Sequence, residues 1–179
     1  MKELKTFNIP FVGLKETKHQ FEYQIDKAFF EHFNFDEDFE NVDLKVDLEF
    51  NKKSTMFELL FKVSGVIRLN CDLTNELFDL EITGELPLIV KFGEEYNDEN
   101  EEILVLPRTE FQLNVSQFIY ELIVLSIPQK RIHPGVEDGT LESDALERLE
   151  AFAPKEVEEE STDEEEYVDP RWEKLRKLK

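Results

Sequence analysis

Apolar and polar side chains alternate strictly through VDLKVDLEF, residues 42–50. A period of two residues places successive side chains on opposite faces of a β-strand, which predicts a strand with one buried and one solvated face. The alternation resumes through residues 57–63, after the turn-like NKKS at residues 51–54. The two runs therefore predict an antiparallel hairpin. The apolar positions of the first run are Val42, Leu44, Val46, Leu48 and Phe50.

Further strand patterns follow the hairpin. Gly65 permits a break or bulge, and residues 66–73 and 77–83 are predicted as the next two strands, with TNE between them as a tight connection. ELPLIVKF, residues 85–92, predicts another strand, in which Pro87 cannot donate a ladder hydrogen bond and so belongs at an edge or a strand start. The middle of the chain is therefore predicted to be a meander of about five antiparallel strands.

Helices are predicted both before and after the strands in sequence. DKAFFEHF, residues 26–33, predicts a short helix that begins at its aspartate. A stronger pattern covers residues 115–127, where apolar side chains recur at steps of three and four residues. Asn114 is its predicted N-cap, with Gln117 three residues on, and Pro128 ends it. We expect this helix to cover the apolar face of the sheet.

The order of the elements predicts the fold class. GEEYNDENEE at residues 93–102 is expected to form an acidic loop, and ILVLP at residues 103–107 one more short buried strand. Strands cluster in sequence instead of alternating with helices, which indicates the α+β class. The predicted fold is an antiparallel β-meander of about five to seven strands covered by one main helix at about 115–127. It forms a core domain of residues 1–134.

The composition changes after this core domain. A weakly amphipathic stretch is followed by a block of like charge that cannot bury enough apolar area to fold alone. Residues 135–168 are therefore predicted to be an acidic, largely disordered linker with room for one helix. Such acidic runs are typical of solvated tails, or of polyanions that shield a basic partner. The apolar positions of the amphipathic stretch are Leu141, Leu146, Leu149 and Phe152.

The last eleven residues, DPRWEKLRKLK at 169–179, predict a short basic amphipathic helix. Asp169 suits the N-cap and Pro170 the first helical position. Such a short helix is marginal alone in water, so it must dock on its own domain or fold on a partner. We favour a partner, because a long acidic linker is wasteful before an anchor that only completes the core. Trp172 is the expected anchor, and the predicted partner-binding residues are Asp169, Pro170, Arg171, Trp172, Leu175 and Leu178.

Charge restricts the partners. The chain has 179 residues, of which 40% are apolar and sixteen are Phe, enough to fill the core of one ordinary domain. Its formal net charge is −21, and residues 137–168 hold fourteen acidic against two basic side chains, whereas residues 169–179 carry +3. This balance argues against broad non-specific binding to nucleic acid, because counterion release requires several Lys or Arg on one surface. Any contact with RNA must therefore occur through a local basic patch or through a basic protein that binds both molecules.

Candidate catalytic chemistry is sparse. None of the motifs GxxxxGKS, GxGxxG or HExxH occurs in the chain. The only cysteine, Cys71, lies in a predicted strand without a neighbouring His or Lys, which indicates a buried structural thiol rather than a nucleophile. The histidines are far apart in sequence, and each is predicted to be a surface residue: His19, His32 and His133. We therefore expect no enzyme activity, no catalytic residue, no metal, no cofactor and no small-molecule substrate.

The sequence also carries information about location. No stretch reaches about 18 consecutive apolar residues, and MKELKTFNIP at residues 1–10 lacks the apolar core and cleavage site of a secretory signal. A single cysteine cannot form an internal disulfide, which suits a reducing compartment. We expect a cytoplasmic protein with no membrane partner.

Three segments carry a family resemblance. GVIRLNCDLTNELFDLEI, residues 65–82, contains a glycine, a strand, a cysteine and a phenylalanine-bearing strand after a short turn. FQLNVSQFIYELIVLSIPQKRIHP, residues 111–134, contains a helix with a glutamate, an apolar run and a proline before a histidine. DPRWEKLRKLK combines Asp, Pro, an aromatic and two spaced leucines. In these patterns the chain resembles the YceD family, the large ribosomal RNA subunit accumulation proteins, and the terminal motif is the most specific.

The resemblance implies a non-enzymatic accessory factor that acts by binding in ribosome assembly, for normal accumulation or processing of large-subunit ribosomal RNA. The implied partner is the pre-ribosomal large subunit or its RNA, or a basic ribosomal protein. The alternative is a chaperone or adaptor for such a basic protein, without direct RNA contact. Many relatives have C-x-x-C at the central turn, whereas this chain has Thr74 at the second cysteine position, which argues against a metal.

Overall fold

The computed structural model describes residues 4–33, 39–100 and 102–152 of the chain. In chain order its strands are β1 (Asn8–Pro10), β2 (Lys18–Ile25), β3 (Asn41–Lys52), β4 (Met56–Asn70), β5 (Leu77–Gly93), β6 (Asn97–Asn100), β7 (Ile103–Pro107) and β8 (Gln112–Asn114). Its helices are α1 (Lys27–Glu31), α2 (Ser116–Ser126), α3 (Pro134–Glu137) and α4 (Asp144–Phe152), and a 3₁₀ turn, Leu4–Phe7, precedes β1.

Within these residues, six strands form one sheet in the order β2-β3-β4-β5-β7-β6, and β1 pairs with β8. Neighbouring strands of the six-stranded sheet are antiparallel except β5 and β7, which run parallel with Ile89 opposite Ile103. The predicted α+β class, a mostly antiparallel multi-strand sheet with a few helices, is confirmed. The predicted short strand at residues 103–107 is β7, and the expected acidic loop before it contains β6.

β4 and β5 are longer than the sequence pattern predicts. The break that Gly65 permits does not occur, because β4 continues through it with unbroken pairing to both β3 and β5. β5 likewise continues through Gly84 and Pro87. Four predicted strand segments are therefore two long strands. Pro87 lies at an edge, as predicted, because the pairing of β5 with β7 begins only at Ile89.

One face of the sheet holds the core. The predicted alternation in β3 is confirmed, since its apolar side chains are all buried: Val42, Leu44, Val46, Leu48 and Phe50. Phe57 in β4 lies among three other rings, with centroids 5.0 Å from those of Phe11 and Phe50 and 5.1 Å from that of Phe92. Side chains of α1, α2, β1 and β8 join the same core. In the described part of the chain, the elements outside the sheet therefore pack on this face.

Two helix ends follow the sequence predictions. Asp26 precedes α1 as its N-cap, and its Oδ1 accepts a hydrogen bond from the backbone N–H of Phe29 at 3.3 Å. α2 ends at Ile127, whose φ of −78° and ψ of 125° are extended. That conformation is expected for the residue before Pro128, because the proline ring disfavours helical geometry there.

The described chain continues beyond residue 134, the predicted end of the core domain. α3 and α4 lie within the segment that the sequence analysis assigned to the linker. Gly135 is buried and Val136 packs against the core, so α3 contacts the core domain. Residues 153–168 of the predicted linker lie outside the described residues. None of the helices in the described ranges has the length and apolar character required to cross a membrane.

Candidate functional site

Helix α2 lies on the core face of the sheet, against β4 and β5. Its most deeply buried apolar side chains are Ile119, Leu122 and Ile123. Gly84 in β5 permits this close approach, because a Cβ atom at that position would lie 2.0 Å from Oγ of Ser126. The position of the helix on the sheet therefore depends on a strand residue without a side chain.

The start of α2 differs from the sequence prediction by one residue. Val115 occupies the N-cap, where its side chain makes no capping bond, and the predicted cap Asn114 precedes it. Oδ1 of Asn114 accepts hydrogen bonds from the backbone N and the Oγ of Ser116, at 3.0 and 2.5 Å. Gln117 donates from Nε2 to Oε1 of Glu121 at 2.8 Å instead of completing a capping box. The side chain of Glu121 is thereby oriented on the solvent side of the helix.

A groove runs between α2 and the strands β5, β7 and β6, where the core face of the sheet extends past the helix. Its volume is ≈ 1020 Å³. Its apolar lining consists chiefly of Leu86, Leu88, Leu104, Leu106, Leu113, Phe118, Val124 and Leu125. Leu125 is 80% exposed although it belongs to the main helix, so the groove presents apolar surface to solvent.

The charged residues that line this groove are all acidic. They are Asp98, Glu110 and Glu121, and no Lys or Arg among the described residues lines it. The hydroxyl of Tyr96 donates to Oδ2 of Asp98 at 3.2 Å. Burial raises the pKa of Tyr96, and the hydrogen bond to Asp98 and the negative charges of Asp98 and Glu121 raise it further. The rim is therefore electronegative, and the groove suits a ligand that is apolar on one side and basic at its edges.

A second constellation lies at the opposite end of β5, around Cys71. The thiol lies just after β4, not within a strand as predicted, and it is buried, as predicted, at 2% exposure. The backbone N–H of His133 donates to Sγ of Cys71 at 3.3 Å. Burial raises the pKa of the Cys71 thiol, but hydrogen bonds from the Thr74 side chain and from the backbone N–H groups of His133, Leu73 and Thr74 outweigh it, so the net pKa is lowered.

The three histidines predicted at the surface, His19, His32 and His133, are all half-buried. The ring of His133 lies 5.6 Å from that of Phe78. Its Nδ1 accepts a hydrogen bond from the backbone N–H of Gly135, so the side chain caps α3. Among the described residues, no group of three or more His, Cys, Asp or Glu side chains could hold a metal ion. The hydrogen bonds of Cys71 and His133 connect the segment after α2 to the end of β4 and to α3.

Asp72 and Arg131 fasten the same segment. The backbone N–H of Arg131 donates to Oδ2 of Asp72 at 2.7 Å, and its Nη2 lies 3.1 Å from Oδ1. The backbone N–H of Asp72 donates in turn to the carbonyl oxygen of Arg131 at 2.8 Å. The backbone hydrogen bond from Arg131 lowers the pKa of Asp72 and outweighs the opposing effect of burial, and the hydrogen bond and charge of the Arg131 side chain lower the pKa further.

Asp72→Asn should therefore remove a pH-dependent contribution to stability. A carboxylate whose pKa is lowered by folding stabilises the protein above its unfolded pKa, about 3.9, and loses this effect as the pH falls through the folded value. Because the pair is about one-third exposed, we expect a loss of no more than about 1 kcal/mol at pH 7. Urea unfolding at pH 7 and below pH 3 would measure it.

The matched control is Asp79→Asn, because the Asp79 carboxylate lies 3.9 Å from Arg68 and is 65% exposed. It should change the free energy of unfolding less than Asp72→Asn at pH 7. An equal difference between wild type and Asp72→Asn at both pH values would contradict the assigned electrostatic role.

The groove was not predicted from the sequence. The site that was predicted lies in the terminal segment and contributes no residue to the described lining of the groove. All six predicted partner-binding residues lie outside the described residues: Asp169, Pro170, Arg171, Trp172, Leu175 and Leu178. One signal for the groove was present, the four consecutive apolar residues 122–125 in α2. Four in succession reach around a helix, so they cannot all face one core. Leu122 and Ile123 are buried, whereas Leu125 faces solvent.

Comparison with known proteins adds a family match. Residues 59–179, about two-thirds of the chain, match the family model described as large ribosomal RNA subunit accumulation protein YceD. The matched range includes β5, β7 and α2, which form the groove, and the terminal segment 169–179. The curated proteins and the solved structures gave no match.

Proposed function

The chain belongs to the YceD family, and from that premise we propose that it is a non-enzymatic accessory factor in the accumulation or processing of large-subunit ribosomal RNA. The resemblance seen in the three sequence segments is confirmed by the family match. The match extends through the last residue of the chain, and this observation carries the proposal, because the terminal motif is the most specific part of the resemblance. The proposed site of action is the cytoplasm.

The proposed mechanism is binding to the pre-ribosomal large subunit or its RNA, without catalytic turnover. The recognition element is the segment 169–179, which carries five basic side chains and the only tryptophan of the chain. Its basic side chains suit phosphate groups or acidic protein surfaces, and Trp172 offers a large apolar anchor. The acidic remainder of the chain disfavours adventitious RNA contacts, so that binding depends on this element.

The groove favours one alternative function, a chaperone or adaptor for a basic ribosomal protein without direct RNA contact. Its rim carries Asp98, Glu110 and Glu121 above an apolar floor, which is complementary to a basic amphipathic segment. In that case the protein forms a stoichiometric complex with one basic client, and the complex survives nuclease treatment.

Sedimentation distinguishes the two functions. The tagged full-length protein and a variant without residues 169–179 are expressed in the native host and separated on sucrose gradients. We expect the intact protein to sediment with precursor large subunits and the shortened variant to stay at the top. Both forms at the top of the gradient, each with one basic protein bound, would favour the adaptor instead. If the protein binds neither precursor particles nor a basic protein at physiological salt, both functions are excluded.

Trp172→Ala should weaken binding to the isolated partner by about 2 kcal/mol, or roughly thirtyfold, because buried aromatic anchors dominate interface energies. Titration of the purified protein against the co-sedimenting particle measures this effect. Glu173→Gln is the control, since Glu173 lies off the apolar stripe of the segment and should change the affinity little. Unchanged affinity of Trp172→Ala would remove the segment from the partner interface.

A further inference from the structure

The groove beside α2 is an incomplete apolar surface. Its apolar side chains that reach solvent are Leu125, which is 80% exposed, and the half-buried Leu86, Phe118 and Val124. Beneath them the core-facing leucines of β5 and β7 are buried: Leu88, Leu104 and Leu106. A contiguous apolar surface with a polar rim is typical of a docking site for an amphipathic helix. The charged side chains that line the groove in the described ranges are acidic: Asp98, Glu110 and Glu121. The shape and charge together define the ligand as apolar on one face and basic on its flanks.

One segment of the same chain has this composition. Residues 169–179 carry an apolar stripe at three-residue steps, Trp172, Leu175 and Leu178, and a net charge of +3. Their five basic side chains are Arg171, Lys174, Arg176, Lys177 and Lys179. In the rest of the chain, by contrast, residues 137–168 carry fourteen acidic and two basic side chains, so they would be repelled by the same rim.

We propose that the groove is the docking site of this chain's own terminal segment, residues 169–179. Trp172, Leu175 and Leu178 lie against the accessible apolar side chains of the groove, chiefly Leu125. The basic side chains pair with the acidic rim. Docking removes Leu125 and the Trp172 ring from water together, which supplies the apolar contribution. The rim carboxylates fix the direction of the segment and disfavour acidic competitors.

The length of the chain permits this contact. Sixteen residues separate Phe152, the last described residue, from Asp169. Fully extended they span about 55 Å. A folded unit of this size has a radius of gyration of about 15 Å, so its diameter is about 40 Å. The path around such a unit to its opposite pole is about 60 Å, so the segment can reach the groove from exit points other than those near that pole.

Docking would regulate the recognition element. This consequence rests on the proposed function, but the docking contact is independent of it. A tethered segment faces its site at an effective concentration in the millimolar range, so it outcompetes free ligands of similar affinity. A ribosomal partner must then bind the segment more tightly than the groove does. Weak partners are rejected, because they cannot release it.

The only tryptophan of the chain, Trp172, reports on docking directly. Its emission and its quenching by acrylamide are measured in the full-length protein at low salt. We expect a blue-shifted, protected tryptophan, and several-fold stronger quenching in Leu125→Lys and in Glu121→Lys. High salt should increase quenching in the wild type, because the rim charges are screened.

Two control variants make the same substitutions, Leu to Lys and Glu to Lys, at positions outside the groove. Leu73→Lys replaces a leucine that is 42% exposed in the turn between β4 and β5, and Glu81→Lys replaces an exposed glutamate on the opposite face of β5. Both should leave tryptophan quenching unchanged. Circular dichroism melting checks that every variant is folded, which is expected because the replaced side chains are at least partly exposed.

Three results would overturn the proposal. A fully quenchable tryptophan in the wild type would show that the segment is undocked. A protected tryptophan that is insensitive to Leu125→Lys and Glu121→Lys would place it elsewhere. Protection that is lost on dilution would assign the groove to the segment of a second copy. These results concern the free protein, so they are distinguishable from failure to sediment with precursor subunits, which overturns the proposed function alone.

Discussion

Gly65→Ala should destabilise the fold by about 4 kcal/mol, combining backbone strain and overpacking of about 1–3 kcal/mol each. Gly65 has φ +144°, a conformation that residues with a side chain rarely adopt. A Cβ atom there would lie 2.3 Å from the carbonyl oxygen of Asp43 and 2.9 Å from Cα of Leu44, both backbone atoms of β3. Neither can move without disturbing the pairing of β3 with β4. Urea unfolding monitored by circular dichroism measures the loss.

Gly139→Ala is the control that separates the cost of backbone strain from the cost of steric overlap. Gly139 also has positive φ, +71°, but a Cβ atom there would meet nothing within 4 Å. The substitution should cost only about 1–2 kcal/mol, the conformational part alone. Equal losses in Gly65→Ala and Gly139→Ala would show that the two central strands separate readily, contrary to their unbroken ladder.

Phe61→Ala should cost about 3–5 kcal/mol, because it removes a large, fully buried ring from the centre of β4. Phe61 lies opposite Leu48 in β3 and Leu86 in β5, and its ring centroid is 6.3 Å from that of Phe118 in α2. The cavity would therefore open beneath the helix that forms one wall of the groove. Chemical denaturation gives the energy, and hydrogen exchange of the α2 amides should accelerate as the helix loses its support.

Leu60→Ala is the neighbouring control. Leu60 is half-buried and points to the opposite face of the sheet, away from α2. Its truncation should cost about 1 kcal/mol or less and leave the exchange of α2 unchanged. A loss for Leu60→Ala as large as that for Phe61→Ala would mean that the outer face of β4 is covered as well.

The core face of β3 and the ends of two helices were predictable because they depend on neighbours in sequence. Alternation in residues 42–50 identified the buried side chains, Asp26 marked the start of α1, and Pro128 marked the end of α2. Each follows from local geometry, since side-chain direction along a strand and capping at a helix end involve only a few residues. Gly65 was ambiguous for the same reason, because only its two neighbouring strands hold it in an extended ladder.

The candidate site was less predictable. The chemistry of residues 169–179 could be read directly, because basic, aromatic and aliphatic side chains recur at helical steps within eleven residues. The groove could not, because its floor and rim come from β5, β6, β7 and α2, and no single segment shows the whole pattern. Only the apolar run 122–125 indicated that α2 has a second apolar surface.

The sequence by itself determined the fold class, the buried face of β3, the family and the composition of the terminal segment, since periodicity and motifs are local properties of the chain. The tertiary structure alone decided which distant residues meet. Cys71 and His133 are 62 residues apart and still share a hydrogen bond. Asp98 and Glu121 act on the same Tyr96 from different elements. Such contacts depend on strand order and register, which are set by the packing of the whole domain.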